Sequence, residues 1–288
     1  MNSALHANYL LIDGALRPDA LANLYALPAP PEIEPLYLTT RWTELKDLGP
    51  VLVAIDDSSS LIHEAYQNAD ACLLYSTTPL ITVADHLRRF IAPADVLGGQ
   101  GLLRFADPLV ARYWLGSYQG AQRAAVLGPI QAWHLPQHPH AWALDEALEW
   151  QTFTRTAAAP EWVDDYATLG ETQLQALEQA ARWRFMQRLH RRLEHRHPQH
   201  LARIDKHQMF RWFDDRLDEA QSWGLASERS LAIWVEYSLR WGEGFTQRPQ
   251  SPYQHWLART PDASRLSPEM RIQQMDDQCP HFELNKDV

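Results

Sequence analysis

The sequence predicts an α/β lobe over residues 1–150, a mixed sheet covered by helices, followed by an all-α lobe over 151–275 and a polar tail over 276–288. Three observations predict this. Short apolar runs alternate with helical patterns up to about residue 133, as in a sheet packed against helices. Prolines then break the chain twice, at His134-Leu135-Pro136-Gln137-His138-Pro139-His140 and at Ala157-Ala158-Ala159-Pro160. Beyond these breaks the apolar residues follow the helical period. Charge divides the same way: residues 1–150 hold 8 basic and 16 acidic side chains, the remainder 18 and 20. A chain of 288 residues fits one large or two medium domains.

The first lobe is read element by element. Tyr9-Leu10-Leu11-Ile12 is an apolar run stopped by Asp13-Gly14, which marks a buried strand. Asp19–Leu27 has a helical pattern. Leu36–Leu38 and Val51–Ile55 read as strands, Ser60–Gln67 as a helix and Ala71–Tyr75 as a strand. Pro79–Ile91 is a helix whose proline suits the first turn. Leu102–Ala106 reads as a strand. Asp107-Pro108 is a helix start, with the carboxylate as N-cap and proline at the first helical position. Val126–Trp133 closes the series as a strand.

The second lobe opens with Glu171–Arg196, where Leu177, Ala181, Phe185, Leu189 and Leu193 recur every four residues as one apolar stripe. His207–Trp223 and Ser227–Trp241 are further helices, stopped by Gly224 and Gly242. Ser251-Pro252 and Ser267-Pro268-Glu269 look like two more helix starts. The tail after Asp276 is polar and expected to be loose.

Composition excludes several functions. The net charge of -10 opposes a nucleic-acid binder, which gains affinity by neutralising phosphates with Lys and Arg. The run Arg182, Arg184, Arg188, Arg191, Arg192, Arg196 falls on several helix faces among acids and reads as a solvated surface. Two cysteines 207 positions apart, Cys72 and Cys279, form no disulfide scaffold and suit a reducing cytosol. No signal peptide or membrane span is evident, so a cytoplasmic protein is expected.

Catalytic patterns are mostly missing. Gly98-Gly99-Gln100-Gly101 precedes a strand, not a helix, and reads as a turn. Gly116-Ser117-Tyr118-Gln119-Gly120 lacks the order of a nucleophile elbow. Asp56, Asp57 and Ser58-Ser59-Ser60 follow a strand, where an enzyme site can form, though such a run more often caps the next helix. This is the alternative reading, a small-molecule-binding or hydrolytic site near Asp56–Ser60. Neither His134, His138 and His140 nor His195, His197 and His200 has the ligand pattern of a zinc site. Asp85-His86 is expected to anchor a helix. No metal, cofactor or catalytic set is expected. The second lobe is rich in aromatics, and Trp212, Trp223, Trp234 and Trp241 are candidates both for its core and for a partner surface.

Six segments in fixed order resemble the type VI secretion effector chaperone (adaptor) family, catalogued as a domain of unknown function. They are Tyr9 to Ala15, carrying Asp13-Gly14; Pro35–Leu38 with Gly49–Val53; His86-Leu87-Arg88-Arg89-Phe90; Leu103-Arg104-Phe105-Ala106-Asp107-Pro108; and Leu127-Gly128-Pro129-Ile130 followed by Trp133. Ala106 stands where the family has an aromatic and Leu109 where it has Arg, which weakens any role carried by those positions. The resemblance covers about residues 8–135 and implies a non-catalytic protein that binds one cognate effector and helps load it on the VgrG spike or the PAAR tip. Arg88 or Arg104 is expected to pair with Asp107.

Overall fold

The computed structural model describes residues 5–56, 59–143 and 148–283. They form two compact units: Met1–His138 with Ala147–Arg182, and Pro139–Glu146 with Trp183–Val288. The division therefore falls inside a helix, and residues 151–182 belong with the sheet, not with the second lobe as drawn from composition.

The first unit runs β1 (Tyr9–Asp13), α1 (Ala20–Tyr25), β2 (Ile33–Pro35), β3 (Pro50–Ala54), α2 (Ser60–Asn68), β4 (Ala71–Tyr75), α3 (Leu80–Arg88), α4 (Pro108–Gly116), α5 (Gly120–Leu127), β5 (Ala132–Gln137) and β6 (Glu149–Thr154), and ends in the first part of α6 (Glu171–Arg196). The six strands form one sheet in the order β2-β3-β1-β4-β5-β6. Central β1 sets Leu11 beside Leu52 and Cys72, and Leu10 beside Val53 and Leu73. Alternate residues serve opposite faces. Leu11, Leu52 and Leu74 join α3, α4 and α5 in one core, while Leu10, Ile12, Val53 and Leu73 join α1 and α2 in another. Helices cover both faces, which explains why these strands are apolar throughout.

The sheet is not mixed. Every pairing of named strands is antiparallel, and the one parallel bridge, Asp95 with Leu169, is isolated. A strand buried on both faces carries no alternation, so its sequence does not report the direction of its neighbour. Three boundaries also move. Leu36–Leu38 is a turn after the short β2. Leu102–Ala106 is irregular: Leu103 and Phe105 are buried, but the segment pairs with no strand. The start of Val126–Trp133 belongs to α5, and β5 runs on through Pro136.

The second unit comprises the end of α6, α7 (Pro198–Leu201), α8 (Met209–Ser222), α9 (Glu228–Trp241), α10 (Pro252–Arg259) and α11 (Pro268–Glu283). Phe185, Leu189 and Leu193 of α6 enter this core, whereas Leu177 packs in the first. Ala181 is exposed, because the helix changes cores at that point. The supposed tail is helical as far as Glu283: Ile272 and Met275 are fully buried, and Trp256 donates to Gln278 at 2.7 Å. Residues 284–288 lie outside the described part. Among the described residues no helix is long and apolar enough to cross a membrane.

Caps appear where the sequence places them. Ser227 Oγ accepts the Ser230 amide at 3.3 Å and Ser251 Oγ the Gln254 amide at 3.2 Å. Glu269 adds a cap from a distant helix, accepting the amides of Ala226 and Ser227 at 2.6 and 2.8 Å as well as the hydroxyls of Ser227 and Ser230. Its partial burial opposes ionisation, but the bonds from Ser230, Ala226 and Ser227 outweigh that and hold the carboxyl down at about 2. Glu269→Ala should cost about 1 kcal/mol, the usual worth of a cap. A carboxyl depressed on folding stabilises above its unfolded value and loses that contribution as pH falls towards 2. The gap between wild type and variant in urea melts should accordingly shrink between pH 5 and 2.

Candidate functional site

The motif residues meet at the seam between the sheet and the helices above it. Asp13 ends β1 almost fully buried, 3% exposed. Its Oδ1 accepts the Ala15 amide at 2.8 Å. Gly14 then turns the chain against the backbone of residues 47–49. A Cβ there would lie 2.5 Å from the Asp47 carbonyl and 2.7 Å from that of Gly49, so the position admits only glycine. Arg104 reaches Asp13 from 91 residues away, with Nε and Nη2 donating at 3.1 and 3.0 Å. The same Nη2 lies 3.4 Å from Asp107, whose Oδ1 caps α4 through the Leu109 amide at 3.1 Å. Burial alone would lower the Arg104 pKa, but the bonds and charges of Asp13 and Asp107 raise it. One guanidinium thus neutralises two buried carboxylates, the arrangement that a buried charge requires.

Of the two arginines expected to meet Asp107, Arg104 does so. Arg88 instead joins α3 to the sheet edge: Nε donates to the Leu36 carbonyl at 3.3 Å, Nη1 to Asp85 at 2.7 Å and Nη2 to Glu34. Asp85 is therefore engaged by Arg88 and does not orient His86. Leu87 and Phe105 are fully buried, Phe105 edge-on to Phe90 at 6.5 Å. Pro108 occupies the first turn of α4. Ser76 donates to the Pro129 carbonyl at 2.8 Å.

His86 is locked between α3 and α5. Its Nε2–H donates to the Val126 carbonyl at 2.8 Å, and its ring lies edge-on to Phe90 and Trp162 at 5.3 and 5.5 Å. Gly128, at φ +53°, passes so close that a Cβ would meet ring atoms at 2.3–2.7 Å. Burial pushes the imidazole down to about 4, against the Val126 bond that favours its charged form. The Cys72 thiol, fully buried and pointing at the Ala106 carbonyl, is pushed up by the same desolvation and is unreactive.

The alternative site falls partly outside the described residues, since Asp57 and Ser58 do. Ser59 Oγ accepts the Leu61 amide at 3.3 Å and caps α2. The histidines are dispersed. His134 contacts Thr152 and the His6 carbonyl, His138 the Ala69 carbonyl, and His140 stacks on Trp142 and Trp183. His197 binds the buried Glu236 at 2.9 Å, with Arg196 at 2.8 Å. Among the described residues no cluster of His, Cys, Asp or Glu could hold a metal ion.

The four tryptophans build the interior of the second unit before any surface. Trp234 is 3% exposed, 5.1 Å from Trp223 and 4.9 Å from Phe245. Trp241 leans on Tyr237 at 4.2 Å and Trp212 edges Phe213 at 5.2 Å; these two and Trp223 are half-buried. Trp234 as an open contact is thus corrected, because packing of α8 on α9 turns its ring inward. Trp223 and Trp234 nevertheless line a groove of about 640 Å³ with Asp215, Asp218 and the Arg216–Glu219 ion pair, closed at 2.6 Å. The Trp234 Nε1–H is buried and meets no acceptor among the described residues.

Comparison with known proteins agrees with the motifs. Residues 8–125 match the family described as Domain of unknown function (DUF4123). Over 203 residues the chain is 27% identical to "Accessory protein VasW" of Vibrio cholerae serotype O1 (strain ATCC 39315 / El Tor Inaba N16961), covering 62% of this chain and 68% of that protein. No solved structure matches. Asp13-Gly14, the His86 helix and Arg104 to Pro108 thus lie in the part of the chain that matches the DUF4123 model, and this match, with the VasW relative, supports the resemblance of its motifs to the type VI secretion effector chaperones.

Proposed function

We propose that this chain is a non-catalytic adaptor of type VI secretion that binds one cognate effector in the cytoplasm and helps load it onto the VgrG spike or its PAAR tip. The groove of the second unit carries the reading. Trp223 supplies apolar area, and the exposed carboxylates of Asp215 and Asp218, beside a Glu219 already paired with Arg216, favour a cationic segment of the effector. Support also comes from the first unit, where the motif side chains are engaged in internal bonds that hold the scaffold. The accessory role printed for the VasW relative points the same way.

The groove can be tested without disturbing the core. Asp215→Lys with Asp218→Lys should weaken binding of the effector about tenfold by placing like charge against it. Exposed substitutions of this kind leave stability within about 0.5 kcal/mol, which thermal melts check. Undiminished binding in the double variant would move the effector site elsewhere. Deletion of the gene should abolish export of the effector, with wild-type chain restoring it; normal export after deletion would refute the adaptor role.

A further inference from the structure

The sheet has two edges, and they are not alike. β2 is three residues long, ends in Pro35 and follows Pro28, Pro30 and Pro31, the devices by which proteins close an edge to further pairing. At the other edge β6, Glu-Trp-Gln-Thr-Phe-Thr, spans six residues with no proline, lysine or arginine.

The direction of its backbone groups follows from the register. Arg155 donates its amide to the Gln131 carbonyl at 2.8 Å, which makes 131 and 155 a hydrogen-bonded pair. Bonded and non-bonded pairs alternate along an antiparallel ladder. Phe153, Gln151 and Glu149 therefore bond β5 in the pairs Trp133–Phe153, Leu135–Gln151 and Gln137–Glu149. Pro136, which has no amide hydrogen, falls opposite Trp150 in a non-bonded pair, as this phase requires. The N–H and C=O groups of Trp150, Thr152 and Thr154 consequently point away from the sheet. No backbone bond to them is found among the described residues, and Thr152 and Thr154 are exposed.

Beside this edge, on the face carrying Gln151 and Phe153, lies a groove of about 650 Å³ between α4, α6 and the ends of β5 and β6. Its lining includes Arg112, Gln137, Gln151 and Gln179 and no Asp or Glu. Arg112 lies over the Tyr113 ring and has no carboxylate partner among the described residues. On a chain of net charge -10, an acid-free groove with an unpaired cation selects a negative side chain.

We propose that the free edge of β6 and the groove beside it bind an extended segment of a partner protein, which adds to the sheet as a seventh strand and sets an acidic side chain against Arg112. The inference rests on the adaptor reading and gives it a second contact, on the first unit. Outward amides and carbonyls at alternate residues are complementary to one ligand backbone, an extended polypeptide; the main chain supplies affinity and the groove supplies selectivity. A second copy of the chain meets the edge less well. Antiparallel pairing of β6 with itself would bring only β6 side chains to this face and leave both grooves unfilled.

Residue-resolved hydrogen exchange on the full chain, alone and saturated with the partner that co-purifies from its own cells, tests this. The amides of Trp150, Thr152 and Thr154 should exchange freely in the isolated chain and slow roughly a hundredfold in the complex. Arg112→Glu should weaken the complex about tenfold. Thr154→Pro removes an amide that no internal bond uses, at an exposed residue, and should weaken it as much; unchanged protection in β1 and α9 verifies that this variant is folded. A stable complex in which the three amides still exchange freely overturns the strand addition while leaving the adaptor reading intact. Protection in the isolated chain, with a dimer by light scattering, assigns the edge to a second copy and likewise overturns it. Failure of any partner to bind removes both readings together.

Discussion

Replacing Arg104 by Met is expected to destabilise the first unit by about 3 kcal/mol, one of the two largest effects that a single side chain of this protein should show. The guanidinium holds Asp13 at 3.0 and 3.1 Å and Asp107 at 3.4 Å, and both carboxylates are at least 97% buried, at 3% and 1% exposure. Without the cation, two negative charges remain in a setting that disfavours even one. The expected cost is at the lower end for a broken buried pair, because Arg104 is itself 38% exposed and part of the attraction is screened. Asp13→Asn should also destabilise, by removing the principal partner and weakening the turn at Ala15. Combining the two should cost less than their sum, because the double variant no longer buries Asp13 as an unpaired charge; the difference should be about 1–2 kcal/mol. Chemical denaturation of the four proteins measures it. Strict additivity would mean that the contact is incidental.

What was legible in the sequence was local. Asp107-Pro108, Ser227 and Ser251-Pro252 mark helix starts because a cap acts within three residues of itself, and each start is found where it was expected. β1, β3 and β4 were visible as apolar runs, since burial on both faces leaves a continuous signal. β6 was not, because a half-exposed edge strand carries the mixed residues Glu149, Gln151, Thr152 and Thr154 and resembles a loop. The strand expected at Leu102–Ala106 failed for the opposite reason: Leu103 and Phe105 are buried by helices, with no strand beside them. Long-range partners were the least legible. The motifs marked Arg104 and Asp13 separately, but nothing in their spacing joins residues 91 positions apart, and the link from Arg88 to Glu34 was equally hidden. The tryptophans of α8 and α9 left core and surface undecided, and the structure shows one ring can serve both, since Trp234 is buried and still walls a groove.

The motif glycine at 128 should prove as intolerant as Arg104, for a steric reason that pH can read independently. Gly128→Ala places a methyl group 2.3 Å from His86 Cε1 at a backbone φ of +53°. The backbone there, φ +53° with ψ −115°, is one that glycine alone adopts readily and costs an alanine about 1–3 kcal/mol, and displacing a packed ring adds a further 1–3 kcal/mol, roughly, as overpacking does. The ring cannot swing aside cheaply, because Nε2 is tied to the Val126 carbonyl at 2.8 Å and Phe90 and Trp162 pack edge-on against it. His86→Ala alone should destabilise by opening a cavity. The double variant should be less unstable than the sum of the two, since the new methyl fills part of the space the ring vacates. Acid provides the second readout. Burial holds the His86 value at about 4, well below the 6.5 of a free imidazole, so the folded state excludes its proton while the unfolded chain takes it up. That contribution is complete above pH 6.5 and is lost as pH falls from there through 4. Between pH 7.5 and 5 the wild type should therefore lose about 2 kcal/mol that His86→Ala does not lose. Equal acid sensitivity in the two proteins would place the imidazole in contact with water and contradict its lock against Gly128.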